Sequence, residues 1–352
     1  MIGLNGWIIL DKPLGLGSTN AVGAVKRALR EGGYAKVKIG HGGTLDPLAT
    51  GVLPIALGEA TKLAGRMLDS DKVYEFTVQF GAETDTLDLE GQVIATSELR
   101  PTMAAIEAVL PRFTGPIDQV PPAFSALKVD GKRAYDLARA GESVVLASRA
   151  VTIHSVTISS PPAGEARDLT RNEFSRSGEG AVGVAHQLPT APSPTPTRQH
   201  VAKSSYPLPQ GERAEAGALD QITLSAHVSK GTYIRSLARD IARALGTVGH
   251  VTHLRRTKAG LFTLASAISL DILFDASKAH ALEDNLLPMR TALDDIPALA
   301  LSPEQARLLR LGQVLTGTAA PDGLTLATLD DIPVALVDVQ SGTVKVDRGF
   351  NM

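Results

Sequence analysis

Gly40-His41-Gly42-Gly43-Thr44-Leu45-Asp46-Pro47-Leu48-Ala49-Thr50-Gly51 places a single carboxylate in a glycine-rich turn, directly before a proline. The glycines strip side chains from the turn, while Pro47 fixes its own φ and biases Asp46 away from helix. Strand-like AKVKIG (35–40) leads in, and LATGVLPIALG (48–58) reads as a short helical turn followed by buried apolar chain. Asp46 is thus predicted to stand at a strand-to-loop junction. An isolated Asp-Pro is an ordinary turn opener, so the surroundings must decide. Gly40, Gly42 and Gly43 do not make G-x-G-x-x-G, and no Lys-Ser/Thr pair follows them, so a nucleotide cofactor is not expected. His41 and Asp46 as metal ligands lack a second His or carboxylate at helical spacing, and no metal is expected either.

The chain has 352 residues, 43% of them hydrophobic, which predicts one large domain and a smaller one. With no cysteine, disulfides, thiolate-bound zinc and a thiol nucleophile are excluded. No run resembles a signal peptide or a membrane span, so the expected location is the cytoplasm, with no membrane partner. The net charge of -2 argues against indiscriminate nucleic-acid binding; any RNA surface must be local. Between His227 and Lys258, the residues Lys230, Arg235, Arg239, Arg243, Arg255, Arg256 and Lys258 face one acid, Asp240, and predict such a patch.

WIILDKP (7–13) is short and apolar enough for a buried strand. Ser18 can cap a helix in which Val22, Val25 and Leu29 recur until the Gly32-Gly33 stop. VYEFTVQFG (73–81) alternates in two-residue steps, with Tyr74, Phe76, Val78 and Phe80 on one face. GAETDTLDLEG (81–91) lacks the order of a calcium loop and reads as a solvated hairpin turn. VPPAFSALKVDGKRAYDLARAG (120–141) mixes Lys128, Lys132, Arg133 and Arg139 with Phe124 and Tyr135, which suits RNA but also a plain amphipathic helix with a basic side. Thr232 to Leu245 is the clearest amphipathic helix; Arg235 lies in its first turn, where it can face the same cleft as Asp46. Between the strands VTIHSVTI (151–158) and ITLSAHVSKGTYI (222–234), the segment Pro161 to Ala218 holds 8 of the 21 prolines and no apolar period, so it reads as an insertion without a core.

GHGGTLDPLATGVLPIALGEATK (40–62) closely resembles the signature around the catalytic aspartate of the bacterial tRNA pseudouridine synthase B (TruB) family. DKPLGLGS, DSDKVYEF, GAETDTLDLEG, VPPAFSALKVDGKRAYDLARAG, SKGTYIRSLARDIARALG and HVTHLRRTKAG continue the resemblance in order. It implies an α+β pseudouridine synthase fold, with a mixed, largely antiparallel central sheet flanked by helices and a small C-terminal PUA-like β-barrel. The implied catalytic domain is 1–285, with a mobile thumb at about 120–146 and the insertion at 161–218; the RNA-binding PUA-like domain is 298–352. It further implies isomerisation of a T-loop uridine of tRNA to pseudouridine, a reaction that requires no cofactor. Asp46 would be nucleophile or base, Arg235 its guanidinium partner and Asp88 the carboxylate steadying that arginine. Tyr74 would stack on the flipped uracil or take the C5 proton, His41 would fill the space the uridine leaves, and Leu254 would wall the pocket. Lys128, Arg133 and Lys230 would touch the T-arm, and the enzyme would act as a monomer without an obligatory protein partner. Two rivals share these features: a non-catalytic tRNA-folding module, which needs only the basic cleft, and a guide-RNA-dependent relative working with partner proteins.

Overall fold

The computed structural model describes residues 4–125, 127–129, 131–140, 146–159 and 217–352. The expected insertion lies outside them except for Gly217 and Ala218, and the expected thumb is described only in part.

The run WIIL is apolar at every position because β1 (Gly6–Lys12) is covered on both faces, as buried strands are. Trp7 and Ile9 enter one core, Ile8 and Leu10 another. After β1 come α1 (Ser18–Glu31), β2 (Ile39–His41), β3 (Ala49–Leu57), α2 (Ala64–Asp69) and β4 (Lys72–Phe80). The short pair β5 (Ala82–Thr84) and β6 (Val93–Thr96) precedes α3 (Met103–Val109) and β7 (Gly115–Gln119). A small hairpin, β8 (Lys128–Val129) and β9 (Lys132–Arg133), leads to α4 (Ala134–Arg139) and β10 (Arg149–Ile158). Then follow β11 (Gln221–Val228), α5 (Ile234–Ala244), β12 (Gly249–Ala259), β13 (Phe262–Thr263), α6 (Leu270–Lys278) and β14 (Leu287–Pro288). The chain ends with β15 (Ala298–Ala300), α7 (Pro303–Arg310), β16 (Gly323–Leu329), β17 (Ile332–Gln340) and β18 (Thr343–Gly349).

The main sheet runs β14-β1-β3-β12-β4-β11-β10-β7, with β2 on β3 and β13 on β12. Its strand pairings are antiparallel except β12 with β3, where Leu254 lies opposite Ala49 and Arg256 opposite Gly51. The mixed, largely antiparallel sheet expected from the sequence is therefore present. The predicted apolar face of α5, Ile234, Leu237, Ala238 and Ile241, shares a core with Phe76, Val78 and Phe80 of β4, the face that the two-residue alternation singled out. Leu53 and Ile55 of β3 meet Val25 and Leu29 of α1 and Leu273 of α6 in a second core.

Three local expectations are corrected. Ser18 does not cap α1: Gly17 is the N-cap, and the Ser18 hydroxyl instead exchanges two hydrogen bonds with the backbone of Leu45. The loop 81–91 is not a solvated turn, because Glu83, Thr84, Thr86 and Asp88 are all buried. The C-terminal strands form, among the described residues, an open four-stranded sheet in the order β15-β16-β17-β18 rather than a closed barrel. That sheet packs on the large one: Leu326, Leu336 and Phe350 share a core with Trp7, Ile9 and Met289.

Either side of the undescribed segment the chain is already paired. Ile158 lies opposite Leu224 in the ladder of β10 with β11, and the Ser159 amide donates to the Thr223 carbonyl. Replacing residues 161–216 by about six Gly/Ser residues shortens a hairpin loop whose ends meet, which favours the folded state by roughly 2 kcal/mol from loop closure. The thermal midpoint of that variant is expected to hold or rise; an unfolded variant would show that the segment carries structure.

Candidate active site

The Asp46 turn is held from below by side chains that donate to its backbone carbonyls. Arg256, only 1% exposed, donates through Nε to the Val52 carbonyl at 2.7 Å and through its two terminal nitrogens to Thr44 and Gly43 at 3.3 Å each. Lys12 is fully buried and donates to the carbonyls of Leu16 (2.6 Å), Pro13 (3.0 Å) and Pro47 (3.3 Å). Ser18 grips Leu45, and the Gly15 amide donates to Pro47. The glycines follow from this packing. A Cβ on Gly42 would stand 2.6 Å from that of Met67, and one on Gly51, whose φ is 97°, would stand 2.2 Å from the Arg256 carbonyl oxygen. Burial pushes the Lys12 amine down to about 8, against the partial support of the Asp46 carboxylate.

Arg235, in the first turn of α5, is 7% exposed and joins the two predicted carboxylates. One terminal nitrogen lies 2.9 Å from Asp46 Oδ2 and also donates to the Phe124 carbonyl at 3.0 Å. The other lies 3.0 Å from Asp88 Oδ2 and donates to the Thr86 carbonyl at 2.8 Å. Asp88 is fixed in turn: its Oδ1 accepts from the Thr86 hydroxyl at 2.6 Å and from the Glu90 amide at 3.0 Å. The two carboxylates differ in access. The Asp88 side chain is 9% exposed, whereas that of Asp46 is 45% exposed.

Asp46, Asp88 and Arg235 line a cavity of about 260 Å³ with Leu48, Phe124 and Tyr135. Leu254 lines a smaller neighbouring hollow with Asp46, Leu48, Asp88 and Arg235. Tyr74 does not share either space; it lines a separate cavity of about 160 Å³ behind the loop, with Gly43, Thr44, Lys72 and Arg256. His41 is half-buried with its Nδ1 buried and unbonded, and burial, with Arg256 nearby, holds its pKa below the ordinary value. It borders none of these three hollows. Lys230 pairs with Asp69 on the surface at 2.9 Å. Lys128 and Arg133 face each other across the β8–β9 hairpin, but their side chains lie outside the described residues.

The basic patch predicted between residues 227 and 258 divides: Lys230, Arg243 and Lys258 remain exposed, while the others are buried or paired. Arg235 and Arg256 are buried, and Arg239, Arg243 and Arg255 pair with Asp240, Glu83 and Asp11. Residues to which the sequence gives no place in the site complete it: Arg256, expected only in a surface patch, and Ser18, expected as a helix cap, lie under the loop, with Ser125 on the cavity wall and Tyr233 ahead of α5. The Tyr233 amide donates to Gln119 Oε1 at 2.8 Å, anchoring the turn that carries Arg235, and burial raises its phenol's pKa.

Residues 29–170 match the model of the TruB family pseudouridylate synthase N-terminal domain, and residues 235–294 that of the tRNA pseudouridylate synthase B C-terminal domain. The chain is 55% identical to the tRNA pseudouridine synthase B of Novosphingobium aromaticivorans over 99% of its own length and 98% of that protein's. This chain belongs to the TruB family. A second member, tRNA pseudouridine synthase B of Zymomonas mobilis, is 51% identical over 99% of this chain and 96% of that one. Among solved structures, an H/ACA RNP bound to a substrate RNA containing 2'-deoxyuridine superposes with a TM-score of 0.62 at 21% identity, over 99% of this chain and 85% of that one. An archaeal box H/ACA sRNP Nop10-Cbf5 complex gives 0.61 at 22%, over 99% and 86%. At that identity the likeness is one of fold.

Two outcomes follow from this TruB-family geometry. Asp88→Ala removes the buried one of the two carboxylates on a buried guanidinium and is expected to lower stability to urea by about 3 kcal/mol, whereas Asp46→Asn, at the more open end, costs under about 1 kcal/mol. The second concerns Lys12. Its folded pKa of about 8 lies below the 10.5 of the unfolded chain. Between these values the unfolded state binds more protons, so stability rises with pH. Lys12→Met removes that contribution; the urea midpoint of the parent relative to the variant should climb as pH rises from about 7 to about 10, and a flat difference would contradict the assignment.

Proposed function

We propose that this chain isomerises the T-loop uridine of tRNA, position 55, to pseudouridine. The observation that carries the reading is the Asp46–Arg235–Asp88 chain of charge-assisted contacts at the wall of a cavity, in a member of the TruB family. The reaction breaks the bond from N1 to the ribose, turns the uracil over and rejoins it through C5. It has no net redox change and no group donor, so its chemistry calls for no cofactor.

In this proposal Asp46 is the nucleophile or base, held in one orientation by the Arg235 fork while its more exposed end meets the substrate. Asp88 steadies Arg235 from the buried side of the substrate pocket. Leu254 walls the pocket, and Tyr74 swings out of the separate cavity it lines in this structure to stack on the uracil or take the C5 proton. The base is stacked inside the tRNA elbow and has to be flipped out, with His41 entering the space it leaves. Lys128, Arg133 and Lys230 contact the T-arm, the thumb at about 120–146 closes over it, and residues 298–352 add RNA contacts beside a catalytic domain of 1–285. The enzyme proposed is a monomer that works without an obligatory protein partner. The setting proposed is the cytoplasm; among the described residues no helix is long and apolar enough to cross a membrane.

The test is tritium release from a T-arm stem-loop labelled at uridine C5. Asp46→Asn keeps size and shape but removes the charge, so release is expected to fall below detection while stem-loop binding persists. Ordinary turnover would remove Asp46 from the chemistry, and a parent chain that binds without releasing tritium would favour the RNA-folding module. Arg235→Lys keeps the charge but loses the planar fork, and a fall of about 100-fold or more in single-turnover rate is expected, with RNA affinity little changed. Weaker binding at an unchanged rate would instead make Arg235 a phosphate contact.

A further inference from the structure

Away from the Asp46 cavity, three side chains distant in sequence converge on the sheet surface where β10, β11 and the start of β4 meet. Asp71 precedes β4, His154 lies in β10 and His227 in β11. His154 Nε2 stands 3.1 Å and His227 Nε2 3.8 Å from the same Asp71 oxygen, and one ligand atom from each residue lies within 4.8 Å of the others. The two imidazoles are 4.6 Å apart between centroids.

The backbone shows why they meet. His227 lies opposite Val73 on one side and Ser155 on the other. In the β10–β11 ladder Ile153 pairs with Val228 and Ser155 with His227, so His154 is the extra residue of a bulge. A bulge re-aims the side chain it carries, and this one turns His154 toward Asp71 and His227. Asp71 is anchored from behind, since its carbonyl accepts the Gly260 amide at 2.9 Å. All three groups remain reachable, with side-chain exposures of 37% for His154, 39% for His227 and 48% for Asp71.

We propose that Asp71, His154 and His227 form a binding site for one divalent transition-metal ion, with Zn²⁺ the best match. Two imidazoles and a carboxylate suit zinc and its neighbours rather than Mg²⁺ or Ca²⁺, which favour all-oxygen shells. Around tetrahedral zinc the ligand atoms stand about 3.3 Å apart, as bond lengths of about 2.0–2.1 Å require. The 3.1 and 3.8 Å separations from Asp71 straddle that value, and with all three ligand atoms within 4.8 Å of one another, side-chain rotations that draw the two imidazole nitrogens together close the site and leave a fourth position open to water. A metal there ties the end of β11 to the start of β4 just upstream of the Ser229–Tyr233 turn that leads to Arg235. Sequence inspection expects no metal because it seeks ligands at short spacing, whereas these three are joined only by sheet register.

The experiment is calorimetric titration of the full, metal-stripped chain with Zn²⁺ in a non-coordinating buffer, repeated with millimolar Mg²⁺ present. One Zn²⁺ per chain is expected, undisturbed by Mg²⁺, with affinity at least about tenfold weaker in His154→Gln and in Asp71→Asn. A His186→Gln/His200→Gln variant should bind like the parent, which separates this site from histidines of the 161–216 segment. Zn²⁺ should also raise the thermal midpoint of the parent but not of His154→Gln/His227→Gln, whose metal-free midpoint reports whether it folds. The proposal fails if the parent takes up no zinc, which would leave Asp71 and His154 an ion pair only. It fails equally if the folded double variant binds zinc as the parent does.

Discussion

A guanidinium taken out of water has to be met by charge and by hydrogen-bond acceptors together, or it destabilises the fold that buries it. Arg235 satisfies that condition only because four parts of the chain arrive at one point: the Asp46 turn, the 86–88 loop, the Phe124 carbonyl and the head of α5. Each arrival depends on the sheet. The Leu87 carbonyl accepts the Val251 amide of β12, setting the 86–88 loop against that strand, and the parallel pairing of β12 with β3 puts Leu254 opposite Ala49 beside Asp46. The order of strands in the centre of the sheet therefore fixes the distance between the two carboxylates that Arg235 joins.

The same logic extends beneath the loop, where Lys12 and Arg256 are buried cations that face mostly carbonyl oxygens. A glycine-rich turn offers few side chains of its own, and its carbonyls, closed off from solvent, need donors. Lys12 and Arg256 supply several from single side chains, so a segment of irregular backbone is held as firmly as a strand. The cost is desolvation of two charges, and it shows in the depressed Lys12 pKa. A third cation, Lys72, does the same for the end of α2, donating to the carbonyls of Met67, Leu68 and Ser70, and its pKa is likewise pushed down to about 8 by burial. Rigidity next to Asp46 keeps its carboxylate in one orientation without substrate, as the role proposed for it requires.

Much of this was legible in the letters. The alternation of β4, the stripe of α5 and the buried run of β1 are local patterns, and local patterns survive folding. Asp46, Arg235 and Asp88 come into contact in the structure, and in the sequence only the resemblance connects them; residues 81–91 read locally as a solvated turn, and Asp88 is buried there against β12. Ser18 was legible as a polar residue at a helix start and misread as its cap, since nothing nearby in sequence reveals that Leu45 competes for its hydroxyl. Arg255 and Arg256 look alike in sequence, yet their neighbouring positions in β12 point them to opposite fates, a salt bridge with half-exposed Asp11 and full burial under Gly43. The common cause is that these residues bind to carbonyls and amides. Every residue type supplies a backbone carbonyl, so the partner leaves no mark in the sequence, and only the register of the sheet decides which side chain reaches it.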